Sequence, residues 1–345
     1  MKTRCELIPL AATVFASVII AVAGLTHKRP DVIPRTSDIN CVLDIKCLSE
    51  STSALVTGFA HHILSNFASS RNRNINISLA EDGASYRDSL ISCSLDMVAA
   101  PFSRTLAEEG LVSSVPIDSL IIILTSPEKE HLTRDFNDWF KDWSMTGDYL
   151  SAKDMFLVNH SPFSNPGRGF ISPYDSILKA CADSTGTDWK LLAAIMYKES
   201  RFHMEAGSPR GAVGLMQVKP STARYLDISD PVDPEQNILA GARYISRLEK
   251  LYKGKAANRE ELRKFTLAAY NAGEGRIDEC LNYARIKGKD SSYWKEIVEV
   301  IPEMSDSSVV ESGILKYGKF SGRETVYFVD TVIELYHNFC RICPD

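Results

Sequence analysis

The sequence predicts an α+β protein with two domains, an α/β lobe over residues 40–160 and an all-α domain over residues 173–343. Strand-like and helix-like segments alternate in the first half of the chain. The second half carries about seven segments of helical periodicity and no convincing strand. Residues 161–172, between the halves, are rich in Pro, Gly, Ser and Asn, a composition typical of a linker.

Residues 1–27 form an export segment ahead of the predicted domains. Basic residues stand on both sides of an uncharged run from Leu7 to Leu25. Because about 18 apolar residues can span a bilayer, we interpret the segment as a retained membrane anchor. Ala21-Val22-Ala23 resembles a signal-peptidase site, so a cleaved signal peptide is the alternative interpretation. Either interpretation predicts a location in the cell envelope, on the periplasmic side of one of its membranes, with residues 28–39 as a linker.

The first domain alternates predicted helices and strands, a pattern typical of a small sheet covered by helices. Helices are predicted at Thr57–Phe67, Tyr86–Cys93 and Arg134–Trp143, and strands at Asn74–Leu79, Leu95–Ala99 and Ser119–Thr125. The last helix carries four aromatic residues on one side, which favours packing against the sheet over stacking on sugar rings. They are Phe136, Trp139, Phe140 and Trp143.

The order of these elements resembles one lobe of a family 3 periplasmic solute-binding protein. The resemblance rests on Tyr86–Leu90 followed by Leu95–Val98, a helix-to-strand step with an acidic residue entering the strand. The segment is too short to supply the second lobe that clamps solute in that family. This lobe could therefore bind a muropeptide, bind a protein or bind no ligand, and the sequence does not decide among the three. His61 and His62 are interpreted as surface or half-buried residues, because no acidic or cysteine partner lies at helical spacing.

Capping signals mark the helices of the second domain. Ser172 and Pro173 are predicted to occupy the N-cap and first position of a helix over Tyr174–Cys181. Asp188 is predicted to start the next helix. Further helices are predicted from Asp233-Pro234 to about Tyr252, from Arg259 to Tyr270 with a stop at Asn271-Ala272-Gly273, and over Gly322–Cys340.

The helix that begins at Asp188 carries the candidate catalytic residue, Glu199. An apolar stripe made of Leu191, Leu192, Ile195 and Met196 shares its face. Because desolvation of a carboxylate is costly, this setting predicts a raised pKa and a proton available near neutral pH. The glycine-rich Gly207–Gly214 follows and would let backbone approach a ligand. The alternative interpretation is a helix-end glutamate followed by an ordinary turn.

Three short strings then occur in order. They are Glu199-Ser200, Gly214-Leu215-Met216-Gln217 and Ala268-Ala269-Tyr270-Asn271-Ala272-Gly273. With these strings, residues 173–340 resemble the family 1 lytic transglycosylases, whose SLT domain has a goose-type lysozyme-like core. With the export segment and first domain included, the chain resembles the membrane-bound lytic murein transglycosylase F type.

The resemblance implies a role for each matching residue. Glu199 would be the catalytic acid/base, and Tyr270 would hydrogen-bond its carboxylate. Ser208 would contact the N-acetyl group of the sugar being cleaved. The remaining substrate-binding residues implied are Met216 and Gln217 in the cleft wall, Asn271 beside Tyr270, and Tyr327.

Two features depart from the family pattern. Lys219 stands where many relatives carry an apolar residue, so it is assigned no role. The stretch Glu303–Phe320 is long for the family and is interpreted as a lid or a surface insertion.

Cleavage of a glycosidic bond usually takes two carboxylates, yet no second acid falls in these motifs. The nearby acids are interpreted as solvated loop or helix-cap residues. They are Glu205, Asp227, Asp230 and Asp233. A single acid fits a substrate that supplies its own nucleophile. In the family, the N-acetyl group of MurNAc stabilises the positive centre and the C6 hydroxyl attacks, which gives a 1,6-anhydro product with the glutamate as acid and then base.

Peptidoglycan glycan strands are thus the partner that the resemblance implies, with no metal or other cofactor. Hydrolytic muramidase and inactive peptidoglycan-binding or sensing protein are the alternatives. The net charge of −5, without a basic block, predicts no nucleic-acid partner. Seven cysteines follow the apolar segment, and their pairing is left open, although the odd number leaves at least one unpaired.

Overall fold

The computed structural model describes most of the chain beyond the export segment. The described residues are 38–52, 54–81, 84–103, 110–163 and 169–344. The predicted membrane segment lies outside them, as do parts of both predicted linkers. Within these ranges, every helix is too short or too polar to serve as a bilayer-spanning segment.

A sheet forms the centre of the N-terminal lobe, here defined as residues 38–163. Its described strands are β1 (Ile39–Leu43), β2 (Ile75–Leu79), β3 (Met97–Pro101), β4 (Val112–Ser113) and β5 (Ile121–Thr125). They lie in the order β2-β1-β3-β5-β4, with β1 parallel to β2 and β3, and β5 antiparallel to β3 and β4. Strands β3 and β5 are buried on both faces, so their sequences are continuous apolar runs.

Helices cover this sheet, as the alternation predicted. They are α1 (Lys46–Thr52), α2 (Val56–Ser70), α3 (Arg87–Ile91), α4 (Glu130–Trp143) and α5 (Gly147–Lys153). The α4 aromatic residues pack in the core, with the Trp139 ring 5.5 Å from that of Phe67, and the prediction of packing is confirmed. The resemblance to a solute-binding lobe stays a prediction.

The C-terminal region, residues 169–344, is helical apart from isolated bridges between 207 and 218 in the part that the structure describes. Its helices are α6 (Asp175–Thr185), α7 (Trp189–Ser200), α8 (Pro220–Tyr225), α9 (Pro234–Tyr252), α10 (Arg259–Ala272), α11 (Glu274–Ile286), α12 (Trp294–Val300), α13 (Ser307–Glu311) and α14 (Arg323–Ile342). Helix α7 is buried along residues 190–196 and packs against α6 and α14.

Local capping explains where these helices begin. The Asp188 carboxylate accepts from the Lys190 amide at 3.0 Å, and Asp233 caps α9 in the same way, as predicted. Ser172 caps the start of α6 as predicted, since its hydroxyl accepts from the Tyr174 amide at 3.1 Å, but the helix begins later than Pro173. Asp175 reaches back to accept from the backbone amides of Ile171 (2.7 Å) and Ser172 (2.8 Å), so the helix begins at Asp175 and Pro173 precedes it.

The two parts of the chain share one hydrophobic core. At their contact, the Phe156 ring lies 5.8 Å from that of Tyr174. His61 of α2 lies with its Nε2 3.7 Å from the Asp233 carboxylate, and burial lowers the pKa of His61. His61 is half-buried, as predicted, but its acidic partner comes from the other part of the chain. The predicted division into separate domains stays a prediction.

All seven cysteines in the described residues are free thiols. Burial raises the pKa of Cys41 and Cys280 to about 12 and that of Cys181 to about 11. These buried thiols are therefore protonated and unreactive at neutral pH.

Candidate active site

Glu199 lies in the last turn of α7 and opens into a pocket of about 430 Å³. Burial raises the pKa of its carboxyl group to about 7, and the neighbouring Lys198 only partly opposes this effect. Within the described residues, no group donates a hydrogen bond to the carboxylate. Glu199 therefore holds a proton near neutral pH and can present it to a molecule in the pocket.

The helix ends abruptly after Glu199. Arg201 and Phe202 adopt left-handed backbone conformations, with φ of 54° and 70°. The Phe202 amide donates to the Ser200 hydroxyl at 3.1 Å, and the Phe202 side chain is fully buried. This buried anchor turns the chain away from the helix axis, so that Glu199 faces the pocket rather than a further helical turn.

The buried acid should make folding stability depend on pH in a way that Glu199→Gln removes. An unfolded glutamate titrates at about 4.3. Between that pH and about 7 the unfolded state ionises while Glu199 stays protonated, so the acid destabilises the fold increasingly as pH rises. We expect Glu199→Gln to raise the free energy of unfolding by about 2 kcal/mol at pH 8, after discounting for partial exposure, and not at pH 4.

Urea denaturation at both pH values measures this difference. The exposed Glu235→Gln is the matched control and should lack the gain at pH 8. An equal effect of Glu199→Gln at both pH values would contradict a buried, proton-holding carboxyl group.

The glycine-rich stretch forms the wall opposite Glu199 and is folded around Asn237 of α9. The Asn237 carboxamide accepts from the Met216 amide at 2.7 Å and donates to the carbonyl groups of Val213 (3.0 Å) and Pro231 (2.6 Å). Gly214 has φ of 75°, and a Cβ there would lie 2.5 Å from the Asn237 Nδ2. This position therefore requires glycine for both backbone conformation and space.

Ser208 and Gln217 line the pocket, and their contact with substrate stays a prediction. The Ser208 hydroxyl accepts from the Ala212 amide at 3.0 Å. The Gln217 Nε2 donates to the carbonyl oxygens of Ala206 (2.9 Å) and Gly214 (3.0 Å). Both side chains thus hold the shape of the loop while facing the pocket.

Tyr270 also lines the pocket, but its hydrogen bond differs from the prediction. Its hydroxyl donates to the Met216 carbonyl oxygen at 2.7 Å. Since a phenol has one proton, Tyr270 does not donate to Glu199 in this arrangement. Burial, followed by the Glu199 charge, raises the pKa of Tyr270, which places the two groups within electrostatic reach. The phenol oxygen keeps acceptor capacity, which suits the protonated form of Glu199.

The predicted place of Met216 in the cleft wall is wrong. Its side chain is fully buried, and a Cβ on Gly241 would lie 2.6 Å from its terminal methyl carbon. The backbone of Met216, rather than its side chain, contributes to the site. Its amide donates to Asn237, and its carbonyl accepts from Tyr270.

The last two predicted substrate-binding residues, Asn271 and Tyr327, lie in different pockets. Asn271 lines the Glu199 pocket and accepts from the Thr325 hydroxyl at 2.9 Å. Tyr327, on α14, is 66% exposed and lines a different depression together with Ile301 and Pro302. The Lys198 Nζ lies 4.4 Å from the Tyr327 ring centroid, so Tyr327 adjoins the site without entering it.

Four residues of the site were missed or set aside by sequence reasoning. Tyr244 lines the pocket with its ring 5.6 Å from Tyr270, and Arg210 and Lys219 line it with exposed cations. Asn237 supports the wall from behind. Tyr244 and Asn237 both lie on the predicted helix over 234–252, and polar residues on its inner face were the available signal.

The nearby acids behave in two ways. Asp230 and Asp233 cap backbone amides, as predicted. Glu205 is not a solvated loop residue. Its side chain is buried, with Oε1 3.0 Å from the His203 Nδ1. Among the described residues that line the Glu199 pocket, Glu199 is the one carboxylate.

Residues 176–292 match the family described as the transglycosylase SLT domain. The chain is 33% identical over 161 residues to "Membrane-bound lytic murein transglycosylase F" of Thiobacillus denitrificans, covering 47% of this chain and 34% of that protein. It is 34% identical over 176 residues to the protein of the same name from Marinobacter nauticus, covering 50% of this chain and 34% of that protein. The chain thus spans about a third of the length of these relatives.

Among solved structures, the 70 kDa soluble lytic transglycosylase of Escherichia coli is 23% identical, with 63% of this chain and 34% of that chain covered and a TM-score of 0.38. Residues 176–292 are thus similar to the transglycosylase SLT domain, and both sequence relatives match this chain over about half of its length.

Proposed function

We propose that this protein is a peptidoglycan lytic transglycosylase. It cleaves the β-1,4 bond between MurNAc and GlcNAc without water and leaves 1,6-anhydro-MurNAc ends, with Glu199 as the single acid/base. The observation that carries the proposal is the half-buried Glu199 with a pKa of about 7, the one carboxylate among the described residues of its pocket. The names of the sequence relatives support the same substrate.

The first step is protonation of the departing glycosidic oxygen. Burial keeps Glu199 in its acid form. Transfer of its proton to the glycosidic oxygen lowers the barrier to cleavage of the glycosidic bond. An oxocarbenium-like centre then develops at the MurNAc anomeric carbon. With no second carboxylate in the described lining of the pocket, the N-acetyl group of the same sugar stabilises that centre. Ser208 and Gln217 line the wall that would contact it.

The second step closes the anhydro ring. Glu199, now ionised, accepts the proton of the C6 hydroxyl as the oxygen of that group bonds to the anomeric carbon. Glu199 returns to its starting state, and no water is consumed. The hydrogen bond from Tyr270 to the Met216 carbonyl fixes one side of the pocket that holds the sugar.

The same proposal places the protein in the cell envelope, because its relatives are named membrane-bound and its first 27 residues predict an export segment. The active site would face the compartment that holds peptidoglycan. A muropeptide or protein ligand for the N-terminal lobe stays a prediction.

Mass spectrometry of peptidoglycan digested by the full chain tests the proposal. We expect fragments that end in 1,6-anhydro-MurNAc, because the sugar supplies its own nucleophile. Fragments that end in reducing MurNAc would overturn it in favour of a hydrolytic muramidase. An undigested substrate would overturn it in favour of a protein that binds peptidoglycan without cleaving it.

A further inference from the structure

The Glu199 pocket continues into a second pocket of about 560 Å³. Thr222, Tyr244, Ala272 and Gly273 line both pockets, so the two form one continuous cleft. None of the residues predicted to bind substrate lines the second pocket. A polymer that occupies the Glu199 pocket would extend along this cleft.

Two exposed aromatic side chains flank the second pocket. Tyr225, at the end of α8, is 67% exposed, and Tyr317, ahead of α14, is 62% exposed. The Arg247 guanidinium lies 5.6 Å from the Tyr225 ring centroid. The exposed faces of the two rings suit the apolar faces of sugar rings. The floor between them carries the Arg247–Glu274 ion pair, in which the Arg247 Nη2 lies 2.9 Å from a Glu274 oxygen. These groups offer hydrogen bonds to sugar hydroxyl and amide groups.

The segment that carries Tyr317 is held firmly by α11. The Glu279 carboxylate accepts from the Tyr317 amide at 3.0 Å, and Arg276 donates to the carbonyl oxygens of Tyr317 (2.6 Å) and Gly318 (2.9 Å). The Arg276 guanidinium also lies 5.6 Å from the Tyr317 ring centroid. Such multiple anchoring fixes the ring before a ligand arrives, which lowers the entropic cost of binding.

The Tyr317 ring also requires a glycine beneath it. A Cβ on Gly275 would lie 2.5 Å from the Tyr317 hydroxyl oxygen, so the absence of a side chain there admits the ring. Tyr317 belongs to Glu303–Phe320, the stretch that is long for the family. The C-terminal part of that stretch is therefore an anchored wall of the cleft and not a free surface insertion.

We propose that Tyr317 and Tyr225 form a distal subsite for one further N-acetylated sugar of the glycan strand, which makes this protein favour long strands over short ones. The subsite rests on the proposed function, and it deepens that function by assigning a strand-length preference to residues of the atypical segment.

The test compares kcat/KM for a GlcNAc–MurNAc tetrasaccharide and octasaccharide, with the full chain as enzyme. We expect Tyr317→Ala to lower kcat/KM on the octasaccharide by about tenfold and to leave the tetrasaccharide unchanged. Tyr317→Phe, which retains the ring, should keep the octasaccharide value. Gly275→Ala should lower it, because the added methyl group displaces the ring. Tyr293→Ala, an exposed tyrosine that lines neither pocket, is the matched control.

An equal loss on both substrates, or no loss on either, would overturn the distal subsite. Binding of the octasaccharide to the Glu199→Gln chain, with and without Tyr317→Ala, gives a second readout that needs no turnover. If the wild-type chain cleaves neither substrate, the proposed function fails. If the Glu199→Gln chain then binds the octasaccharide equally tightly with and without Tyr317→Ala, the proposal of a distal subsite fails as well.

Discussion

Replacement of Glu199 by glutamine is expected to lower peptidoglycan turnover by on the order of 10²–10⁴-fold. Glutamine has nearly the same shape but carries no transferable proton, so the departing oxygen would leave as an unprotonated alkoxide. The pocket holds no other carboxylate in its described lining that could take over. Release of soluble fragments from labelled peptidoglycan measures the loss.

The control for this experiment is Asp227→Asn. Asp227 is an exposed acid near the site in sequence, and its backbone has φ of 56°, a conformation that asparagine tolerates. This variant should retain turnover. Because a misfolded Glu199→Gln chain would also be inactive, its binding to insoluble peptidoglycan should be measured by co-sedimentation and should be retained. Full turnover by Glu199→Gln would show that the acid is elsewhere.

Replacement of Asn237 by alanine is expected to lower the free energy of unfolding by about 4 kcal/mol. Asn237 is fully buried, and its carboxamide satisfies the Met216 amide and the carbonyl groups of Val213 and Pro231. With alanine at this position, the buried Met216 amide and the carbonyl groups of Val213 and Pro231 would lose their hydrogen bonds to the carboxamide. Since Met216 also accepts from Tyr270, turnover should fall as well.

Equilibrium urea denaturation measures the change in stability, and Asn282→Ala is the matched control. Asn282 is an exposed residue of α11, where alanine is the better helix former, so its replacement should be neutral or slightly stabilising. A loss at Asn237 no larger than that at Asn282 would show that water replaces the carboxamide at little cost.

Local rules explain the parts of the site that sequence predicted. The Asp188 and Asp233 caps bind amides two or three residues ahead of them, so the helix starts could be predicted without the rest of the fold. The apolar stripe of α7 likewise placed Glu199 on an inward face, and the raised pKa followed from that burial. Helical periodicity also gave the class of the C-terminal region.

Contacts between distant segments explain the misses. The hydroxyl proton of Tyr270, which was predicted to hydrogen-bond Glu199, is donated instead to the Met216 carbonyl, which comes from a loop 54 residues earlier. The Met216 side chain is buried because Gly241 leaves room beneath it. Glu205 was expected in solvent, yet the fold buries it beside His203.

By itself, the sequence determined the helix starts at Asp188 and Asp233, the position of Glu199 on α7 and the apolar neighbours that raise its pKa. All of these depend on residues a few positions apart. Only the tertiary structure decided that Asn237 holds the wall of the cleft and that Tyr317 extends it. The physical reason is that hydrogen bonds of buried polar groups must be satisfied by whichever backbone packs against them, and that backbone is brought there by the fold as a whole.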